Sequence, residues 1–166
     1  MEVNIKDLEE SDSDAFAALL VQLSRETTHA LMTEQESIEL GNSQHERTRQ
    51  LVLADNQKIL FAVHDTILVG FLGLSQGTFE RNRHSAALMI GVLADYWGQG
   101  IASQLMKQAL GWVDERGIQR IEVGVMDSNE RAIELYKRFG FEQEGVKRAA
   151  FLINDVYQDE ILMARV

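Results

Sequence analysis

Apolar positions along the chain change period several times, and the changes mark elements. "EVNIKDL" alternates and predicts a first strand, followed by a helix through "AFAALLVQL" with Ser11 or Ser13 as its cap. Arg25 to Asp55 is polar and reads as helical pieces, most clearly at "HERTRQLVLADN". In "KILFAVHDTILVGFLGLSQG", two apolar runs flank His64-Asp65-Thr66 and predict a hairpin of largely buried strands. "HSAALMIGVL" is a further strand, with Gly91 as a bulge or close-approach site. The period then becomes helical in "IASQLMKQALGWVDERG". Ile101, Leu105, Ala109 and Trp112 share one face there, Ala102, Met106 and Val113 flank it, and Gly117 is the stop. "QRIEVGVM" is a strand. "SNERAIELYKRFG" is a short amphipathic helix capped by Ser128 or Asn129 and stopped by Gly140. The last segment, "GVKRAAFLINDVYQDEILMARV", predicts two strands turning at Asn154-Asp155.

The order is β, α, α, β, β, β, α, β, α, β, β. Strand–helix–strand units in the middle call for parallel pairing, and the hairpins on either side call for antiparallel pairing. The expected α/β fold is a mixed sheet of about seven strands with helices on its faces, not a doubly wound nucleotide fold. Nothing reads as a linker or repeat, so residues 1–166 are expected to form a single domain.

Composition narrows the chemistry. The chain has 166 residues, no cysteine and a formal net charge of −10. Disulfides and thiolate catalysis are excluded. The acidic balance argues against nucleic acid and anionic membranes as partners and favours cationic ones. Without a membrane-length apolar run or a signal-peptide pattern, the expected location is the cytoplasm. His29, His45 and His64 lack metal-ligand spacing, and no metal is expected.

"DYWGQGIAS" places two glycines directly before the best helix. A strand, a glycine loop and a helix N-terminus make an anion site, because the first helical N–H groups lack partners and the dipole is positive there. Gly98, Gly100, Ala102 and Ser103 are placed to supply such groups. No Gly-Lys-Ser/Thr follows, and the third glycine of a dinucleotide fingerprint is missing. The local stretch alone fits a phosphate cradle and a plain tight turn equally.

Two longer stretches decide between them. "IGVLADYWGQGIASQLMKQALGWV" followed by "IEVGVMDSNERAIELYKRFGFEQEG" resembles the GNAT superfamily of acetyl-CoA-dependent N-acyltransferases. In its Arg/Gln-x-x-Gly-x-Gly/Ala loop, Gly100 and Ala102 match and Trp97 departs. Its Asn-x-x-Ala-x-x-Leu-Tyr-x-x-x-Gly-Phe motif matches at Asn129, Ala132, Leu135, Tyr136, Gly140 and Phe141. The tail also resembles the branch of ribosomal-protein and small-amine acetyltransferases.

The resemblance implies a mostly antiparallel sheet splayed between its fourth and fifth strands, with acetyl-CoA as cosubstrate in the gap. A neutral amine of a small molecule or a protein N-terminus would attack the thioester directly. The Ile90 amide would face the thioester oxygen and the Val92 backbone would pair with pantetheine, with Gly91 allowing the bend. Tyr136 would supply a hydrogen bond or proton to the departing thiolate, because a phenol of pKa about 10 stays protonated where a thiol of pKa about 8.5 ionises. Asn129 would contact the cofactor or cap its helix. The base is open between His84, Glu122 and a water chain. Glu34, Glu36 and Glu39 lie in the expected acceptor wall, and the family's frequent dimers make a homodimer an expectation. The competing reading is a non-catalytic acyl-CoA-binding module of the same fold.

Overall fold

The computed structural model describes residues 2–166. The chain forms one seven-stranded sheet in the order β1-β2-β3-β4-β5-β7-β6. The strands are β1 (Asn4–Asp7), β2 (Gln57–His64), β3 (Ile67–Gln76), β4 (Ser85–Val92), β5 (Arg120–Met126), β6 (Glu142–Ile153) and β7 (Val156–Arg165). All pairings are antiparallel except β4 with β5. The turn between β2 and β3 holds Asp65 at φ 56°, and that between β6 and β7 holds Asn154 and Asp155 at φ 50° and 61°. Positive φ at both central residues, as at Asn154 and Asp155, is the twist a tight two-residue hairpin favours.

Among the described residues five α-helices cover the sheet: α1 (Ser13–Glu26), α2 (Glu34–Gly41), α3 (Gln44–Leu53), α4 (Ile101–Glu115) and α5 (Glu130–Arg138). The polar region thus folds into two helices of its own, one more than the counted order implied. Neither serine caps α1. The Ser13 hydroxyl donates to the Glu10 carbonyl, and the Asp12 carboxylate accepts from the Glu9 N–H and from Lys6. A short 3₁₀ turn over Glu10–Asp12 precedes α1 and displaces the expected cap.

Alternation along the strands builds two cores. On one face Leu72, Leu74, Ala86 and Leu88 join Ile121, Val123 and Val125 beneath α4 and α5. On the other, Phe61, Leu68 and Phe71 pack against Phe16, Leu19 and Leu23 of α1. The buried side of α4 is Ile101, Leu105, Met106, Ala109 and Val113, and Trp112 lies at its half-buried margin beneath Arg116. Gly91 is not a bulge, because β3–β4 register runs unbroken from Gln76↔Ala86 to Gly70↔Val92. A Cβ there would meet Leu23 Cδ1 at 2.9 Å, so the glycine admits α1 against the sheet.

Candidate active site at the splayed strands

β4 and β5 pair only over Ser85–Ala87 and Arg120–Glu122. Beyond this, each strand stays with its other neighbour: β4 follows β3 to Val92, and β5 follows β7 to Met126. The edges Leu88–Val92 and Val123–Met126 therefore part. A parted edge exposes backbone donors and acceptors to any extended chain that enters.

Ladder geometry determines which groups face the gap. The Ser85 carbonyl accepts from Gly77 N–H, and Leu93 N–H donates to the Val69 carbonyl. Odd-numbered residues of β4 thus spend their backbone groups on β3, and alternation turns those of Ile90 and Val92 toward β5. Their side chains pack on the α4 face of the sheet. Ile90 and Val92, singled out in sequence, are among the residues whose backbone groups turn toward the parted edge.

At the open end the chain makes a 3₁₀ turn at Ala94–Tyr96 and reaches the glycines. Gly98 and Gly100 adopt φ of 74° and 79°, and a Cβ at either would meet nothing within 4 Å. They are retained for backbone conformation, not for packing. Gly100 stands at the N-cap of α4, which has no side-chain cap. The first intrahelical donor there is Gln104, to the Gly100 carbonyl at 3.0 Å. The N–H groups of Ile101, Ala102 and Ser103 thus precede the helical ladder, at the positive end of a 15-residue helix with no acidic residue in its first turn.

α5 brings the second motif alongside. Asn129 caps it by accepting from Ala132 N–H at 3.3 Å. The helix ends in a Schellman turn, with Gly140 N–H on the Lys137 carbonyl and Phe141 N–H on Tyr136. That turn folds Phe141 back onto Tyr136, with ring centroids 5.6 Å apart. Tyr136 is 4% exposed and shares the core cluster with Val123, Val125, Ile90 and Val92. Burial raises its phenol well above the usual tyrosine value, so the hydroxyl keeps its proton through neutral pH.

The two candidate bases lie toward the closed end of the sheet, His84 well beyond the fork and Glu122 at it. His84 is exposed just before β4, and its carbonyl accepts from Gln119 and Arg120 N–H at the closed end of the sheet. Six extended residues, about 20 Å, separate it from Ile90. Glu122 is exposed in the last paired register and bonds to Arg120 at 3.3 Å. It lines a cavity of about 370 Å³ with Ala87, Gly124, Glu144, Glu160 and Leu162. Glu144 is also held by Arg120, and Glu160 lies against Gly124, where any side chain at 124 would displace it. Sequence reading missed Glu160, since only cross-strand packing brings it there. On α2, Glu34 pairs with Arg25 and Glu36 forms a reciprocal cap with Thr33, whose hydrogen bonds lower the Glu36 carboxyl. With Glu39, Glu36 borders a shallow depression beside Met32 and Leu40.

Two contacts had no signal in the sequence. The Glu26 carboxylate accepts from Ala94 N–H at 2.7 Å, tying the end of α1 to the loop after β4. His29 meets the Ser128 hydroxyl at 3.3 Å, tying the segment after α1 to the loop after β5. Among the described residues, no cluster of His, Cys, Asp or Glu has metal-binding geometry, and no helix is long and apolar enough to cross a membrane.

Comparison with known proteins places this geometry. The model of the acetyltransferase (GNAT) family matches residues 21–141. The L-amino acid N-acetyltransferase AaaT of Escherichia coli is 37% identical over 117 residues, covering 69% of this chain and 72% of that protein. The [ribosomal protein bS18]-alanine N-acetyltransferase of Escherichia coli is 32% identical over 75 residues, 45% of this chain and 51% of that protein. A crystal structure of a GNAT-family acetyltransferase from Streptococcus pneumoniae superposes with a TM-score of 0.91 at 25% identity, covering 99% of this chain and 98% of that one.

Proposed function

The chain belongs to the acetyltransferase (GNAT) family, and from that premise we propose that it transfers the acetyl group of acetyl-CoA to a primary amine. The observation that carries this reading is the parted β4 edge leading into an uncapped helix N-terminus. An extended amide-bearing chain fits the Ile90 and Val92 backbone, and a pyrophosphate fits the N–H groups at Gly98, Gly100, Ala102 and Ser103.

Each residue then has a task. Ile90 N–H faces the thioester oxygen and stabilises the charge that develops there. Tyr136, kept protonated by burial, donates to the departing sulfur. Asn129 holds α5, and through it Tyr136, in place by capping. The proton of the attacking amine leaves on the α1 face of the sheet, through Glu122 or water. His84 stands too far along β4 to take it directly. The carboxylates of the Glu122–Glu160 cavity favour a cationic acceptor. Exposed Val146, Leu152, Val156 and Tyr157 on the last hairpin support a homodimer, and we keep a cytoplasmic location.

A thiol-release assay with L-amino acids, polyamines and N-terminal peptides tests the reading. Amine-dependent release of CoA is the expected result. Binding of acetyl-CoA without turnover on any amine would instead make the chain a carrier or interaction module.

A further inference from the structure

Trp97 stands where the GNAT loop motif has Arg or Gln, and the transfer reading gives it no task. The structure gives it two contacts. Its indole Nε1–H donates to the Val92 carbonyl at 2.6 Å. Its ring lies 4.2 Å beneath the Arg131 guanidinium, measured to the centroid. Trp97 follows β4, and Arg131 sits in the first turn of α5, which follows β5. The pair therefore bridges the two arms at the mouth of the gap. The carbonyl it engages is one that strand alternation turns into that gap, where an amide of an incoming chain would donate.

We propose that Trp97 is an internal occupant of the cofactor groove. In the free protein its indole N–H takes the place of a pantetheine amide on Val92, and Arg131 holds the ring there. Acetyl-CoA binding exchanges one N–H donor for another at the same carbonyl and moves the ring outward. At 40% exposure the indole already borders solvent, so the outward path is open. The exchange keeps the Val92 carbonyl paired in both end states, so neither leaves it unsatisfied.

This inference rests on the acetyl-CoA reading, and its test separates the two. The chain has two tryptophans, so Trp112→Phe leaves Trp97 as the sole indole. CoA is titrated into this variant while calorimetry reports binding and acrylamide quenching reports Trp97 exposure. Quenching is expected to rise about twofold in step with calorimetric saturation, as the ring leaves the groove. Trp97→Phe, which removes the competing donor, is expected to bind CoA about fivefold tighter, the worth of one ordinary hydrogen bond. Arg131→Gln should speed CoA association, because the ring is no longer held. Calorimetric saturation with unchanged quenching, or equal or weaker binding by Trp97→Phe, overturns the exchange and leaves the acetyl-CoA reading standing. Absence of CoA binding in both the parent and Trp97→Phe overturns both. Binding by Trp97→Phe alone supports both.

Discussion

The two helices that leave the parted strands begin in opposite ways and end alike. α5 starts behind β5 with a side-chain cap from Asn129. α4 starts behind β4 with Gly100 in the left-handed conformation and no side-chain cap. At the other end, both close in Schellman turns, on Gly117 and Gly140. Capping chemistry is therefore within the chain's means, as Thr33 on α2 also shows, and of these two helices it is omitted at α4, as it is at α1 and α3. With glycine at the N-cap the omission costs only about a few tenths of a kcal/mol, which α4 offsets by burying five residues in the main core. An uncapped terminus backed by so much packing keeps its donors free without loosening the helix. The shorter, capped α5 instead holds a side chain, Tyr136, in a fixed place.

Under the proposed function the contrast gives chemistry to α5 and anchorage to α4, and substitutions can break it. The largest expected effect is on turnover. Tyr136→Phe should lower kcat about 100-fold, the low end for loss of a general acid, with CoA affinity unchanged. Unaltered kcat on an identified amine would remove Tyr136 from the chemistry. Next, Ser103→Asp puts a negative charge among the open N–H groups. It should weaken CoA binding about 30-fold by calorimetry, through repulsion of the phosphates, while the melting temperature holds or rises. Affinity at parental strength would mean that α4 does not face the anion.

Smaller effects sharpen the comparison. Asn129→Ala should cost about 1 kcal/mol in urea unfolding. Gly100→Asn tolerates the left-handed backbone and supplies a cap, so it should leave stability near parental and weaken CoA. If both substitutions destabilised equally, the two termini would not differ in kind. The smallest effect is on pH dependence. Burial raises the Tyr136 phenol in the folded state above its value of 10.0 when free. The unfolded chain thus loses that proton first, and the stability the neutral phenol contributes falls as pH rises from about 10 upward. Tyr136→Phe should flatten this alkaline loss of melting temperature, and an identical slope in the two proteins would contradict it.

Much of the candidate site could be read from the chain because its signals are local. Strand period, the Asn154-Asp155 turn, the positive-φ glycines and the Asn129 cap each depend on neighbours within a few residues. The uncertain parts depended on distant partners. A carboxylate on β5 and a histidine before β4 looked equally near the chemistry until the pairing put both toward the closed end of the gap. The expected serine cap of α1 failed because Lys6 and Glu9 draw Asp12 into a competing turn. Trp97 was unreadable because its partners are a carbonyl five residues back and a guanidinium 34 residues ahead.

The sequence by itself determined the order of the strands, the glycine stretch before α4 and the family motif around Tyr136, since periodicity and backbone preference act over one or two turns of chain. Only the tertiary structure decided where β4 and β5 part, which backbone groups face the gap, and that an indole already lies against one of them. Those are properties of register and cross-strand distance. Register is set by the β3 and β7 neighbours on either side, not by the residues that line the gap.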